Sequence, residues 1–129
     1  MTKRSENLSS HKGQLCFPGG KEDFPGEASH VTATREAEEE IGLSSDHVTF
    51  IGSLLPVISF HRVAVTPIVA LIKNLKDIKL NVNSAEVSKI FACPLTTFLD
   101  ASIEVGQTSF FTQLQEEIRI HDFRLGTNK

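Results

Sequence analysis

Three acidic side chains, Glu36, Glu39 and Glu40, stand at helical spacing. In a helix of about 3.6 residues per turn, Glu39 falls about 60° to one side of Glu36 and Glu40 about 40° to the other. The three carboxylates therefore share one face of the helix. Glu38 falls on the far side, about 160° from Glu36. The spacing predicts a helix with one acidic face that excludes Glu38.

Such an acidic face works against helix stability. Like charges three and four residues apart each cost about 0.2–0.5 kcal/mol, and exposed acidic groups in a last turn cost about 0.3–1 kcal/mol each against the helix dipole. A local rule that is broken repeatedly at one place indicates a functional constraint. Divalent Mg²⁺ or Mn²⁺ would relieve both penalties, because these hard cations prefer carboxylate oxygen and complete their shells with water and substrate phosphate.

The residues around the acidic run decide between two interpretations. An isolated acidic run is usually only a solvated surface. Here Arg35 directly precedes the first carboxylate, and the loop Pro18-Gly19-Gly20 lies upstream. This context favours a cation site formed by Glu36, Glu39 and Glu40.

The same segment resembles the Nudix box, which ends in Arg-Glu-U-x-Glu-Glu-x-Gly-U, where U is an apolar residue. The matching residues are Arg35-Glu36-Ala37-Glu38-Glu39-Glu40-Ile41-Gly42-Leu43. Glu27 stands seven residues before Arg35, as in the pattern, but six residues rather than five separate it from Gly20. The loop thus carries one extra residue.

A second motif lies upstream of the box. It is similar to the segment that coenzyme A diphosphatases, including the peroxisomal enzymes, place directly before their Nudix box. The residues that carry it are Arg4-Ser5, Leu8, Gly13-Gln14-Leu15-Cys16-Phe17-Pro18-Gly19-Gly20 and Asp23. The resemblance continues at Asn83-Ser84-Ala85-Glu86-Val87 and at Pro94-Leu95, so it covers residues 3–100.

The resemblance implies metal-dependent hydrolysis of the diphosphate in coenzyme A and its derivatives, with 3′,5′-ADP and 4′-phosphopantetheine as products. Mg²⁺ or Mn²⁺ would neutralise the diphosphate, lower the pKa of a bound water and align it with phosphorus. By the same resemblance, Glu39 and Glu40 are metal ligands, and Glu36 is either a ligand or the general base.

The remaining site assignments also follow the resemblance. Arg35, with its planar donors, would orient a carboxylate such as that of Glu27. Gly19 and Gly20 would let the backbone approach the substrate closely, although an ordinary turn explains a glycine pair equally well.

Several charged residues are secondary candidates. Arg4, with Lys3 and Lys12, could meet the 3′-phosphate that distinguishes coenzyme A, while solvated surface charge is the default for each. Glu86 could be an extra metal ligand, but a strand-edge or capping role is favoured.

The elements that must position these residues can be read from the same sequence. Proline and glycine concentrate between residues 17 and 26, which predicts a loop. Residues 28–41 predict a helix that stops at Gly42. In that helix, Ala33, Ala37 and Ile41 form a small apolar stripe for packing against a sheet.

The rest of the chain is dominated by strand-forming residues. Strands are predicted at 14–17, 47–59, 62–72 and 87–93, with one or two more within 109–123, a connection at 73–84 and a short helical turn at 94–100. We therefore predict an α+β fold, an α-β-α sandwich of the Nudix type with a mixed sheet, as one domain covering residues 1–129.

Composition excludes several classes of partner. A net charge of −3 and a pI near 5.9 give no basic field for nucleic acid. No apolar run approaches the roughly 20 residues that cross a bilayer, and no signal peptide opens the chain. We expect a soluble intracellular protein with a small-molecule substrate and with Cys16 and Cys93 as buried free thiols. By resemblance it is peroxisomal or mitochondrial, yet residues 126–129 do not form a peroxisomal signal.

Two rival functions stay open, and the oligomeric state is not predicted. One is a Nudix hydrolase acting on another nucleoside diphosphate derivative, such as ADP-ribose or a dinucleotide. The other is a non-catalytic, truncated Nudix product, because the chain begins and ends inside the family pattern. On that expectation the chain is poorly stable or weakly active.

Overall fold

The computed structural model describes residues 1–59, 62–99, 104–111 and 117–123, the last two ranges by their backbone. The chain divides into two compact units, Met1–Phe91 and Ala92–Lys129. Asp100 and the C-terminal residues 126–129, for which we made predictions, lie outside the described residues. No helix in the described ranges is long and apolar enough to cross a membrane.

The helix α1 spans Ser29–Ile41 and confirms the helix predicted at residues 28–41. Ala28 before it is extended, and Gly42 after it adopts the left-handed conformation, with φ of 69°. The N–H groups of Gly42 and Leu43 donate to the carbonyls of Glu38 and Ala37, at 2.9 and 3.2 Å. These bonds satisfy carbonyls that a helix end otherwise leaves without partners.

Gly42→Ala is expected to reduce the free energy of unfolding by about 1–3 kcal/mol, because a non-glycine residue is strained in the left-handed region. The added Cβ would also lie 2.8 Å from the backbone nitrogen of Asn81. Urea unfolding measures the loss. Gly26→Ala is the matched control, since Gly26 has φ of +88° but open space around its Cβ position. Equal losses in the two variants would show that the contact with Asn81 contributes nothing.

The described residues of the first unit also form seven short strands in three separate sheets, and every pair of these strands is antiparallel. The sheet orders are β2-β1-β7, β3-β6 and β4-β5. The strands are β1 (Thr2–Arg4), β2 (Leu15–Cys16), β3 (Val48–Ser53), β4 (Val57–Ile58), β5 (Ala64–Val65), β6 (Ile68–Ile72) and β7 (Val87–Ile90). A single mixed sheet was predicted, and the described strands instead form these small antiparallel sheets.

Two predicted strands are wrong in extent. The run 47–59 is divided into β3 and β4, and the run 62–72 into β5 and β6. Pro56 and Pro67 lie in the interruptions, and proline has no N–H to donate to a neighbouring strand. Pro67 contributes its carbonyl instead, which accepts from the N–H of Leu54 at 2.9 Å.

Smaller differences concern the other strands of the first unit. β2 covers less than the predicted 14–17, and β7 ends at Ile90 rather than at residue 93. β1 was not predicted, because it is three residues long and two of them are Lys3 and Arg4.

The core of the first unit lies between α1 and β7. Ala37, Ile41, Leu43 and Val87 are buried there. Ala37 and Ile41 belong to the predicted apolar stripe, and Ala33 is half-buried. By contrast, β3 and β6 leave large apolar side chains exposed: Phe50, Ile51, Val69, Leu71 and Ile72.

The second unit contains a short 3-10 helix and a hairpin. The 3-10 helix, Leu95–Leu99, is the helical turn predicted at 94–100. The strands β8 (Glu104–Phe111) and β9 (Glu117–Phe123) pair antiparallel, with an irregular register between Glu104 and Gly106. One or two strands were predicted within 109–123, and the first begins earlier, at Glu104. One α-helix with several small sheets in the described ranges confirms the α+β class.

Candidate functional site

Arg35 holds the glycine-rich loop, residues 17–27, against α1 through ion pairs and a hydrogen bond. Its Nε lies 3.1 Å from Asp23 Oδ2, and its Nη2 lies 3.3 Å from Glu27 Oε2. Nη2 also donates to the carbonyl of Lys21 at 2.9 Å. One guanidinium therefore holds three points of the loop to the side of the helix.

The same guanidinium holds two of the helix carboxylates. Nη1 of Arg35 lies 3.1 Å from Glu36 Oε1 and 3.4 Å from Glu39 Oε2. The hydrogen bond to Glu27, and with it the bond to Glu36, raises the pKa of Arg35 above its usual value, against the opposing effect of desolvation. Arg35 is thus the shared cation of four acidic side chains, with Asp23 as the fourth.

Glu27 is held as an anion inside this network. Its side chain is only 4% exposed. Besides Arg35, its Oε2 accepts from Thr32 Oγ1 at 2.8 Å and from the N–H of Asp23 at 3.0 Å. The hydrogen bond from Arg35, followed by those from the Asp23 N–H and Thr32, lowers the pKa of Glu27. The pairing of Arg35 with Glu27 that the resemblance implied is present.

Glu40 differs from its neighbours on the helix. It is 3% exposed, and its Oε2 has no hydrogen-bond partner among the described residues. Burial, and then the charges of Glu36 and Glu86, raise the pKa of Glu40 to about 7, while Arg4 and the backbone N–H of Gly19 act in the opposite direction. A buried carboxylate with a free oxygen and two acidic neighbours fits the chemistry of a divalent-cation ligand.

The two glycines of the loop meet the helix glutamates. The backbone N–H of Gly19 lies close enough to the Glu40 carboxylate to lower its pKa. A Cβ at Gly20 would overlap the carboxylate of Glu36, so a side chain at this position would displace the end of the Glu36 side chain. Glycine at position 20 therefore lets the Glu36 carboxylate keep its place.

Arg4 lies in the strand β1, near enough to Glu40 for its charge to act on that carboxylate. Its Nε is buried and has no hydrogen-bond partner among the described side chains and backbone groups. Arg4 and Gly19 both line an open cavity of about 370 Å³, whose other lining residues are His11, Gln14, Cys16, Phe17 and Val65. Lys3 lies 3.4 Å from Glu6, in an exposed ion pair.

The predicted residues are brought together only in part. Glu39 is 56% exposed and reaches Arg35 rather than Glu40. Among the described side chains, no three carboxylate, imidazole or thiol groups form a ready-made ligand set. Glu38 is exposed and lines a different cavity, together with His30 and Ser45.

Sequence reasoning missed three contributors to the site and gave a fourth, Glu86, only a secondary place. Asp23 was noted only as part of a motif, and Thr32 and Asn83 had no assigned role. Glu86, placed directly before β7, lies near enough to Glu40 for its charge to act on that carboxylate. For Thr32, the only signal in the sequence was its position five residues after Glu27.

The two cysteines are free thiols, as predicted, but they are half-buried rather than buried. Cys16 Sγ lies 3.2 Å from Thr2 Oγ1, and Cys93 Sγ lies 3.7 Å from the carbonyl of Pro94.

Comparisons with known proteins agree with the resemblance of residues 35–43 to the Nudix box. The NUDIX domain profile matches residues 1–114. The chain is 40% identical over 126 residues to "Nudix hydrolase 15, mitochondrial" of Arabidopsis thaliana, which covers 98% of this chain and 44% of that protein. It is 43% identical over 102 residues to "Uncharacterized Nudix hydrolase NudL" of Photorhabdus laumondii, covering 79% of this chain and 54% of that protein.

A further relative is "Nudix hydrolase 3" of Caenorhabditis elegans, which is 43% identical over 114 residues, covering 85% of this chain and 45% of that protein. The chain spans about half the length of these curated relatives. The profile match extends over the helix, the loop and the acidic residues described above. The chain belongs to the Nudix family.

Proposed function

We propose that this chain is a Mg²⁺- or Mn²⁺-dependent hydrolase of the diphosphate bond in coenzyme A and its derivatives, with 3′,5′-ADP and 4′-phosphopantetheine, or acyl-phosphopantetheine, as products. The observation that carries the proposal is the Glu40 carboxylate. It is buried, one of its oxygens has no hydrogen-bond partner among the described residues, and it lies near the carboxylates of Glu36 and Glu86. A buried carboxylate of this kind requires a cation or a proton.

Glu36, Glu39 and Glu40 are the residues that would hold the cation. Glu36 and Glu39 now accept from Arg35, and both would exchange this partner for the cation. The bound cation supplies charge neutralisation of the diphosphate and a water of lowered pKa. Glu36 serves as a ligand or as the general base.

The neighbouring groups prepare these carboxylates. The Gly19 N–H favours the charged form of Glu40, and Gly20 leaves the space that Glu36 occupies. Arg35 keeps the loop against the helix, and its remaining bonds to Glu27 and Asp23 would hold the loop after Glu36 and Glu39 turn to the cation. Arg4, which lines the cavity, offers its guanidinium as a donor to a substrate phosphate.

The choice of coenzyme A rests on the resemblance of residues 4–23 to the diphosphatase segment and on where this segment lies. Arg4 and Gly19, near its two ends, line the same cavity, and Asp23 contacts Arg35. A cavity of about 370 Å³ falls in the range that small ligands occupy and would accept part of a molecule as long as coenzyme A.

Product analysis tests the proposal directly. We expect 3′,5′-ADP to be released when the purified chain is incubated with coenzyme A and Mg²⁺ or Mn²⁺, and no release in excess chelator, because the carboxylates cannot replace the cation. Chromatography of the nucleotide products measures both. Full turnover in chelator would contradict metal dependence.

A substrate panel separates the rival functions. Hydrolysis of ADP-ribose or a dinucleotide without hydrolysis of coenzyme A would leave a Nudix hydrolase with another substrate. A chain that cleaves nothing and whose melting temperature does not rise with Mn²⁺ would be non-catalytic, since a ligand that binds only the folded state must raise it.

A further inference from the structure

The segment 81–86 directly precedes β7 and is hydrogen-bonded to the end of α1. The backbone N–H of Asn81 donates to the carbonyl of Ile41 at 2.9 Å, and that of Asn83 donates to the carbonyl of Glu40 at 3.0 Å. The segment is therefore fixed to the last turn of the helix at the residue that carries the buried carboxylate.

The side chain of Asn83 uses both ends of its amide within this segment. Its Nδ2 donates to Glu86 Oε1 at 3.1 Å, and its Oδ1 accepts from the N–H of Ala85 at 3.2 Å. Its carbonyl accepts from the N–H groups of Glu86 and Val87, at 3.0 and 2.9 Å. Asn83 thus determines both the turn and the direction of the Glu86 side chain.

We propose that Asn83 is a positioning residue, which holds the Glu86 carboxylate beside Glu40 so that Glu86 joins the helix glutamates at the cation site. This inference rests on the metal dependence proposed above.

Two observations explain why Glu86 needs such a partner. Its backbone is already fixed, since its carbonyl accepts from the N–H of Ser5 at 2.8 Å and Val87 is buried in the core. The remaining freedom is that of the side chain, and repulsion from Glu40 would turn it toward solvent. The Asn83 amide is a neutral donor that opposes this repulsion without neutralising the negative charge that a cation needs.

The test measures Mn²⁺ affinity by titration calorimetry on the full chain, without substrate. Asn83→Ala should weaken Mn²⁺ binding by about 10-fold or more, the range found when a group that orients a metal ligand is lost. Asn83→Ser guards against misfolding, because its hydroxyl can still accept from the Ala85 N–H but is too short to reach Glu86. The Asn83→Ser variant should weaken Mn²⁺ binding to a similar degree while keeping the melting temperature that the wild type has without metal. Ser84→Ala, in the same turn and exposed, should bind Mn²⁺ as the wild type does.

A double-mutant cycle separates positioning from general damage. If Asn83 acts through Glu86, then adding Asn83→Ala to Glu86→Gln should weaken Mn²⁺ no further than Glu86→Gln alone. Fully additive losses, or wild-type affinity in both Asn83 variants, would overturn the positioning role while leaving the proposed function intact. A wild-type chain that neither binds Mn²⁺ nor hydrolyses coenzyme A would overturn both.

Discussion

Glu40→Gln is expected to lower the turnover of coenzyme A by at least about 100-fold, the scale seen when one electrostatic stabiliser of a reaction is removed. The substitution keeps the size and the helix propensity of the side chain but removes its charge. Because Glu40 is buried beside Glu36 and Glu86, the neutral amide also relieves repulsion. The melting temperature without metal should therefore stay the same or rise, while the rise caused by Mn²⁺ should be lost.

Glu39→Gln should produce a similar loss of turnover, although Glu39 is exposed and its substitution should leave the metal-free melting temperature unchanged. Glu38→Gln is the control for both. Glu38 is exposed on another side of α1, so steady-state rates should be close to those of the wild type. Equal sensitivity of Glu38 and Glu39 would show that the assignment of the helix faces is wrong.

Arg35→Lys should lower both the melting temperature and the turnover, with a loss of turnover of about 10-fold or more. Lysine keeps the charge, but one ammonium group cannot replace a planar fork that reaches Asp23, Glu27, Glu36 and Glu39 together. The side chain of Glu27, only 4% exposed, would lose its principal partner. The loop would then separate from the helix.

Thermal unfolding and Mn²⁺ titration measure the two effects separately. Asp23→Asn is the matched comparison, because it removes one contact of Arg35 whose acidic partner is 62% exposed. Surface ion pairs of this kind contribute about 0–1 kcal/mol, so the melting temperature should fall only slightly. An Arg35→Lys protein with wild-type stability and wild-type Mn²⁺ affinity would refute the role of Arg35 in holding the loop against α1.

The helix was predictable because its signals are local. Alanine and glutamate favour the helix over residues 29–41, and Gly42 supplies the left-handed end. The strands were less predictable. Pro56 and Pro67 interrupt runs whose composition is otherwise typical of strands. β1 could not be identified because it is three residues long and one of its two partners, β7, lies more than 80 residues away in the sequence.

The candidate site was likewise predictable where the signals are local and not where they depend on distant contacts. Spacing along one helix placed Glu36 and Glu40 on a common side, but it could not show that Arg35 would hold the carboxylates of Glu36 and Glu39. The roles of Asp23, Thr32 and Asn83 depend on hydrogen bonds between separate segments, for which a single sequence contains no periodic signal.

The pairing of β1 with β7 affects how the chain folds during its synthesis on the ribosome. Arg4 pairs with Val87, and Ser88 Oγ donates to the carbonyl of Arg4 across 84 residues of sequence. At a synthesis rate of about 5–20 residues per second, β7 is completed roughly 2–10 s after α1. The acidic helix can therefore form early, but Arg4 cannot take its place near Glu40 until that long loop has closed. Long-range pairing of this kind is slow, and assembly of the site is consequently a late event in folding.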